Sequence, residues 1–233
     1  KKRLDELAKL SKKIFTSIRD YLPWLHHTKF YSFKIKNLKK YEYIIYAHSF
    51  TDGQLEHPYD GFVNTLEWLK FTVSELKKKN IKFIIKAHPN FYMKSKVKGI
   101  TQIADWDKKI YEKFFKNIDD DKDILIINKP VLNYDIAKKL DKKCIVVTKH
   151  GSVQLEMIYH NFKVITSKSN FINPKYSLTN MWDNKHKYKD LLNKNWDELK
   201  FAKKEKFYSV MENLFLDEIK VFGKYHYLNI LKT

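Results

Sequence analysis

From residue 43 onward, short uninterrupted apolar runs alternate with stretches of helical period, and this alternation constrains the fold more than any other feature of the chain. The runs are YIIYA at 43–47, KFIIKA at 82–87, ILII at 124–127, CIVVT at 144–148 and KVIT at 163–166. Helical stretches over about 62–79, 105–117, 133–140 and 152–160 lie between them. A strand with one wet face alternates polar and apolar residues, whereas continuous runs rich in Ile and Val read as strands buried on both faces. Strand–helix alternation of this kind predicts an α/β fold, a mostly parallel sheet of about five strands with helices on either side. A polar loop at about 168–184 follows, and then two helical stretches, 185–194 and 196–216, the second with Trp196, Leu199, Phe207, Val210 and Leu214 along one side.

Residues 1–41 break the pattern. Leu4, Leu7, Leu10, Ile14, Ile18 and Leu22 recur at helical spacing among lysines up to Pro23, and 24–41 is aromatic and basic without a period. The expected organisation is therefore an amphipathic helix and connector over 1–41, followed by one α/β domain over 42–233. The helix needs a partner surface, either the α/β domain or an anionic membrane face. The chain begins with Lys1 rather than methionine, as expected of a piece of something longer.

Composition narrows the function classes. With 43% hydrophobic and 31% charged residues, 5 Gly and 5 Pro, the chain is globular and not low-complexity. The single cysteine, Cys144, excludes a disulfide framework and any CxxC metal or redox motif, and fits a reducing, cytoplasmic setting. No apolar run approaches the ~18–20 residues of a membrane span. The net charge of +19 invites a nucleic-acid reading, but only Arg3 and Arg19 among the 46 basic residues carry the guanidinium that base and phosphate readout favours. A lysine-covered, solvated surface with some attraction to anionic substrates or lipids is the expectation, without specific nucleic-acid binding.

Ligands of open parallel sheets bind beyond the carboxyl ends of the strands, and here those ends are polar. The first run leads into His48-Ser49-Phe50-Thr51-Asp52-Gly53, the second ends in Lys86-Ala87-His88-Pro89, and the fourth leads into Lys149-His150-Gly151-Ser152. Three equivalent positions thus hold histidine. His150-Gly151-Ser152 passes from a strand into a helix whose first N–H groups can seat a phosphate; Gly151 permits close approach and Ser152 can cap or donate. Glu156 lies one turn on, on the side of Ser152, where a carboxylate can accept from ribose hydroxyls. Lys86 and His88 point to the same side of their strand. A histidine there can stabilise a departing phosphate without transferring a proton.

Lys86-Ala87-His88-Pro89, followed about sixty residues later by His150-Gly151-Ser152-Val153-Gln154-Leu155-Glu156 and the strand Lys163-Val164-Ile165, resembles the nucleotide-binding lobe of GT-B glycosyltransferases. The likeness covers about 42–167. It is nearest to the bacterial capsule and surface-polysaccharide group that includes the Kdo transferases, and GSVQLE is also similar to the phosphate turn of UDP-N-acetylglucosamine 2-epimerases. The resemblance implies a Rossmann-like lobe of an inverting, metal-independent transferase with no cofactor. Its donor would be a nucleotide-sugar such as CMP-Kdo and its acceptor a glycan or glycolipid at the inner face of the plasma membrane. Lys86, His88, His150, Gly151, Ser152 and Ser49 would hold the donor, Glu156 its ribose, and an N-terminal acceptor lobe would lie outside this chain. Asp52 in Thr51-Asp52-Gly53 imitates the family's catalytic base, although that element normally belongs to the other lobe; a turn-forming aspartate is the competing reading.

Other motifs carry less. Asp119-Asp120-Asp121 precedes a strand, where the metal-binding DxD of other transferases follows one, and as a calcium loop it would put Ile124 where glycine is needed. His26-His27 lacks metal-ligand companions, and Ser49 lacks a nucleophile elbow. A CDP-glycerol-type phosphotransferase and a sugar-nucleotide epimerase are the competing enzymes. A non-catalytic basic module binding nucleic acid or membrane is the competing class.

Overall fold

The computed structural model describes residues 5–9, 11–12, 30–35, 37–50, 57–88, 100–118, 120–170 and 177–213, with backbone only for 100–104. Its centre is a six-stranded sheet: β1 (Tyr43–Tyr46), β2 (Phe83–Lys86), β3 (Ile124–Ile127), β4 (Ile145–Thr148), β5 (Val164–Ser167) and β6 (Asn180–Trp182). Every pairing is parallel and the order is β3-β2-β1-β4-β5-β6. All four residues of β1, β2, β4 and β5 are buried, as expected of strands covered on both faces. Edge strand β3 is only partly covered at Leu125 and Ile126.

Among the described residues the cover comes from α1 (Thr65–Lys78), α2 (Ile100–Lys116), α3 (Asn133–Ala137), α4 (Val153–Tyr159), α5 (Lys185–Asn193) and α6 (Lys204–Glu212). The alternation of side chains along each strand divides the core in two. Ile44, Tyr46, Ile84, Val146 and Val164 face α3, α4 and α6 through Ile136, Leu155, Met157, Val210 and Met211. Tyr43, Ile45, Phe83, Ile85 and Val147 face α1, α2 and α5 in a more aromatic layer built on Trp68, Tyr111, Trp182 and Tyr188. The starts of α1 and α5 have local causes, because Asn64 and Asn184 cap them by accepting from the N–H of Glu67 and Lys187.

Two expectations change. β6 lies inside the stretch read as a polar loop. It is only three residues long, and its state comes from pairing with β5. Asn180 then closes the sheet edge, its Nδ2 donating to Lys200 O and its Oδ1 accepting from Lys200 N, so a side chain takes the place of a further strand. The helix expected over 196–216 is a 3₁₀ turn (Trp196–Glu198), closed by a capping box between Asn195 and Glu198, then extended backbone at Leu199 and Lys203, then α6. The break lets Leu199 join the aromatic layer while Phe207 and Val210 join the opposite one. Positions beyond 213 lie outside the described residues.

Of the N-terminal stripe, Leu7 is described and buried, and Ser11 donates to Leu7 O within a helical segment; the other five aliphatics lie outside the described residues. Phe33, Leu38 and Tyr41 contribute to the core beside α3 and α6. Among the described residues no helix is long and apolar enough to cross a membrane.

Candidate functional site

Strand register creates the site. Tyr46 of β1 stands level with Lys86 of β2 and Thr148 of β4. Two residues beyond each of these comes a histidine: His48, His88 and His150. Three in-register chains therefore deliver three imidazoles to one height, and the rings meet. His48 lies 5.2 Å from His88 and 5.8 Å from His150 between centroids. The meeting point lies at the carboxyl ends of β1 and β4, where the strand order reverses, the place at which open α/β sheets take their ligands.

Other elements hold the histidines in place. On α2, Asp107 and Tyr111 lie one turn apart. Asp107 accepts from the Ser49 hydroxyl and, at 2.8 Å, from Phe50 N–H, fixing the turn after β1. Tyr111 donates to His48 O at 2.8 Å and accepts from His88 N–H at 3.4 Å, joining the two loops through one hydroxyl. On the other flank His57 stacks on His150 at 3.7 Å and 10°, and its Nδ1–H donates to Ser169 O. Asp60, three residues on, receives Lys149 Nζ at 2.9 Å and the hydroxyls of Ser167 and Ser169. A Cβ on Gly61 (φ 102°) would collide with the backbone of Asn184 and Lys185, so glycine lets this loop seat against the start of α5. Gly151 (φ 101°) takes the left-handed turn that carries β4 into α4 beside the His48 ring.

On the α4 side of the meeting point, buried Glu156 accepts from Asn133 Nδ2 at 2.8 Å and lies in the field of Lys86. Burial pushes the Glu156 carboxyl up, against the pull of the Asn133 hydrogen bond and Lys86. It lowers Lys86 to about 8, with Glu156 opposing. His88 falls well below the ordinary histidine value through burial, then through His48 and Lys86. His150 falls through burial, then through His57, His48 and Lys149. Beyond burial, His48 and Lys86 disfavour a proton on His88, and His57, His48 and Lys149 disfavour one on His150, a repulsion that an arriving anion would relieve. His150 Nδ1 is buried and has no hydrogen-bond partner among the described residues, which leaves a polar atom open to a ligand. Among the described residues no group of three His, Cys, Asp or Glu could hold a metal ion.

The strand order settles the architecture. The fold is a Rossmann-like α/β lobe. Solved structures similar to it include the beta Kdo 2,4 transferase KpsC of Thermosulfurimonas dismutans, at 12% identity and TM-score 0.47, over 88% of this chain and 55% of that one. Others are the UDP-GlcNAc 2-epimerase of Methanocaldococcus jannaschii (15%, 0.47, 91% and 50%) and a UDP-forming alpha,alpha-trehalose-phosphate synthase of Burkholderia vietnamiensis (10%, 0.48, 94% and 51%). The chain spans about half the length of these proteins. No protein-family model matches the chain, and no curated protein matches it.

The residues singled out from the sequence divide into three groups. His48, His88, His150 and Gly151 come together, with Lys86 and Glu156 beside them. Ser152 is exposed, with αR backbone and no capping hydrogen bond, so its hydroxyl is not engaged in closing α4. Ser49 is fully buried, and its hydroxyl is directed at Asp107, where it shapes the turn. Asp52 and Pro89 lie outside the described residues. His57, Asp60, Asp107 and Tyr111 belong to the site and were not singled out. For His57 a signal existed, since His57-Pro58 repeats the His88-Pro89 dipeptide. Asp107 and Tyr111 read only as part of an amphipathic helix.

Proposed function

We propose that this chain is the donor-binding lobe of a metal-independent glycosyltransferase that moves a sugar from a nucleotide, Kdo or a related CMP-sugar, to a bacterial surface polysaccharide or glycolipid. The convergence of His48, His88 and His150 at the point where strand order reverses carries the reading. The His88 and His150 imidazoles, both held below the ordinary histidine value, lie with Lys86 where a phosphate would bring negative charge, and Lys149 is already tied to Asp60. The sequence resemblance over 42–167 supplies the reaction class.

In this reading His88, His150 and the turn at Gly151 and Ser152 hold the donor phosphate. The acceptor hydroxyl attacks the anomeric carbon and the bond from that carbon to the phosphate oxygen breaks. The nucleotide departs with the electron pair, its added charge met by the histidines. The acceptor proton passes to a carboxylate, for which Asp52 is the candidate, and the anomeric configuration inverts. Glu156 accepts from the ribose hydroxyls, whose donors would draw its carboxyl back toward the ionised form. The acceptor is presented by a further lobe at the inner face of the plasma membrane.

A thermal-shift panel of CMP, CDP, UMP, UDP and GDP tests this. A cytidine or uridine nucleotide at a hundred times its Kd should stabilise the chain by about 2.7 kcal/mol. If no member of the panel stabilises it, the reading is wrong. A loss of binding as steep in salt as bare lysine–phosphate contact would move the protein to the class of basic surface binders.

A further inference from the structure

We infer that His57 and His150 act as one stacked imidazole pair that takes up a proton when a phosphate group binds, which makes His57 an unassigned fourth member of the anion site. The inference rests on the donor-phosphate reading above and adds to it a residue and a proton.

The geometry fixes the pair. The rings are parallel at 3.7 Å, close enough that one protonated ring is tolerable and two are not. His57 Nδ1–H donates to Ser169 O, so the neutral ring keeps its lone pair on Nε2, and Nε2 becomes a donor only when a proton is added. His150 Nδ1 is buried and without a partner among the described residues. The pair therefore has a buried nitrogen in want of a partner and a second nitrogen whose role inverts on protonation.

Its surroundings come from every neighbouring element. His48 follows β1 and stands 5.8 Å from His150. Lys86 and His88 come from β2, with Lys86 facing Glu156 of α4. Lys149 of the same turn is tied to Asp60, which neutralises it. Asp60 also receives Ser169, whose carbonyl orients His57. One buried carboxylate thereby positions both halves of the pair, one through Lys149 and the other through Ser169. Burial, then the His57 and His48 rings and Lys149, hold His150 below the ordinary histidine value. A dianionic phosphate opposes that shift. The added proton goes to Nε2 of His57, in the plane of its ring, and converts a lone pair that would repel a phosphate oxygen into an N–H that binds it.

The experiment follows the histidine Cε1–H resonances of the full chain from pH 5 to 8, with and without inorganic phosphate and separately with CMP, beside calorimetry at pH 8 in two buffers of different ionisation enthalpy. Phosphate should raise the titration midpoints of His57 and His150 together, and binding at pH 8 should consume about one proton per phosphate. His57→Gln, polar but unable to hold the proton, should bind phosphate about tenfold more weakly and abolish the uptake. If phosphate moves His88 and His150 while the His57 titration is unchanged, His57 leaves the site and the donor-lobe reading survives. If phosphate moves the pair but no nucleotide binds, the pair stands and the donor-lobe reading falls. If neither phosphate nor CMP moves any of these resonances, both fall. The wild-type titration decides the matter even if His57→Gln does not fold.

Discussion

The two ends of the sheet handle charge in opposite ways. At the amino end Lys77 meets Asp121 at 2.7 Å and Lys82 meets Asp123 at 3.7 Å, with side chains 25–50% exposed. At the carboxyl end Lys149 meets Asp60 at 2.9 Å with side chains 6% and 1% exposed, and beside them lie Lys86, Glu156 and the histidines. The amino-end pairs keep most of their water and cost the fold little. Their counterparts have lost their water, which is expensive unless each group is tied to a partner or serves a ligand. The difference teaches where to look for function, because buried groups with displaced proton affinities cluster at functional sites.

The largest expected effect breaks the comparison at its strongest point. Asp60→Ala leaves Lys149 buried without a counter-charge and removes an acceptor from Ser167 and Ser169. The urea midpoint should fall by the equivalent of ~3–5 kcal/mol, and a loss near that of a surface pair would mean that the carboxyl end is no drier than the amino end. Next, His88→Ala should weaken nucleotide binding by ~1.5–3 kcal/mol in a direct titration, the range for a hydrogen bond to a charged group. Unchanged isotherms would remove His88 from the site.

Acid should act on the carboxyl end. His88 and His150 are held below the ordinary histidine value, so the unfolded chain takes up protons first as pH falls through about 6.5. Their contribution is fully present above that pH and is lost below it, at up to ~1.4 kcal/mol per pH unit for each histidine. His160, lowered to about 4 by burial and then by Lys142 and Lys138, adds to the loss between about 6.5 and 4. Denaturant unfolding at pH 7, 6 and 5 measures it, and a flat profile would place these histidines in water.

Two smaller effects sharpen the contrast. Glu156→Gln keeps the shape of the side chain and an acceptor for Asn133, so nucleotide affinity should drop by ~1–2 kcal/mol while turnover at saturating donor changes little in a longer parent enzyme. A large fall in turnover with affinity intact would make Glu156 catalytic. Asp121→Ala, the amino-end counterpart of the first variant, should cost at most ~1 kcal/mol.

Legibility in the sequence follows the range of the forces involved. A strand buried on both faces must be apolar at every position, so β1, β2, β4 and β5 announce themselves residue by residue, and the helices between them force the parallel order. Once the strands run parallel and in register, His48, His88 and His150 must share a level, and the heart of the site was legible for that reason. β6 was not, because Asn180, Met181 and Trp182 owe their strand state to β5 and to the reach of Asn180 toward Lys200. Nor was the break after Glu198, which exists so that Leu199 and Phe207 can enter opposite layers.

The sequence by itself determined the layer architecture and the three histidines at the strand ends, since both follow from local pattern and strand period. Only the tertiary structure decided that Ser49 turns toward Asp107, that Tyr111 links two histidine loops, that Asp60 neutralises Lys149, and that His57 lies flat against His150. Each of these is a contact between residues far apart along the chain. Its free energy depends on burial and on distances of a few ångströms, quantities that exist only after the chain has folded.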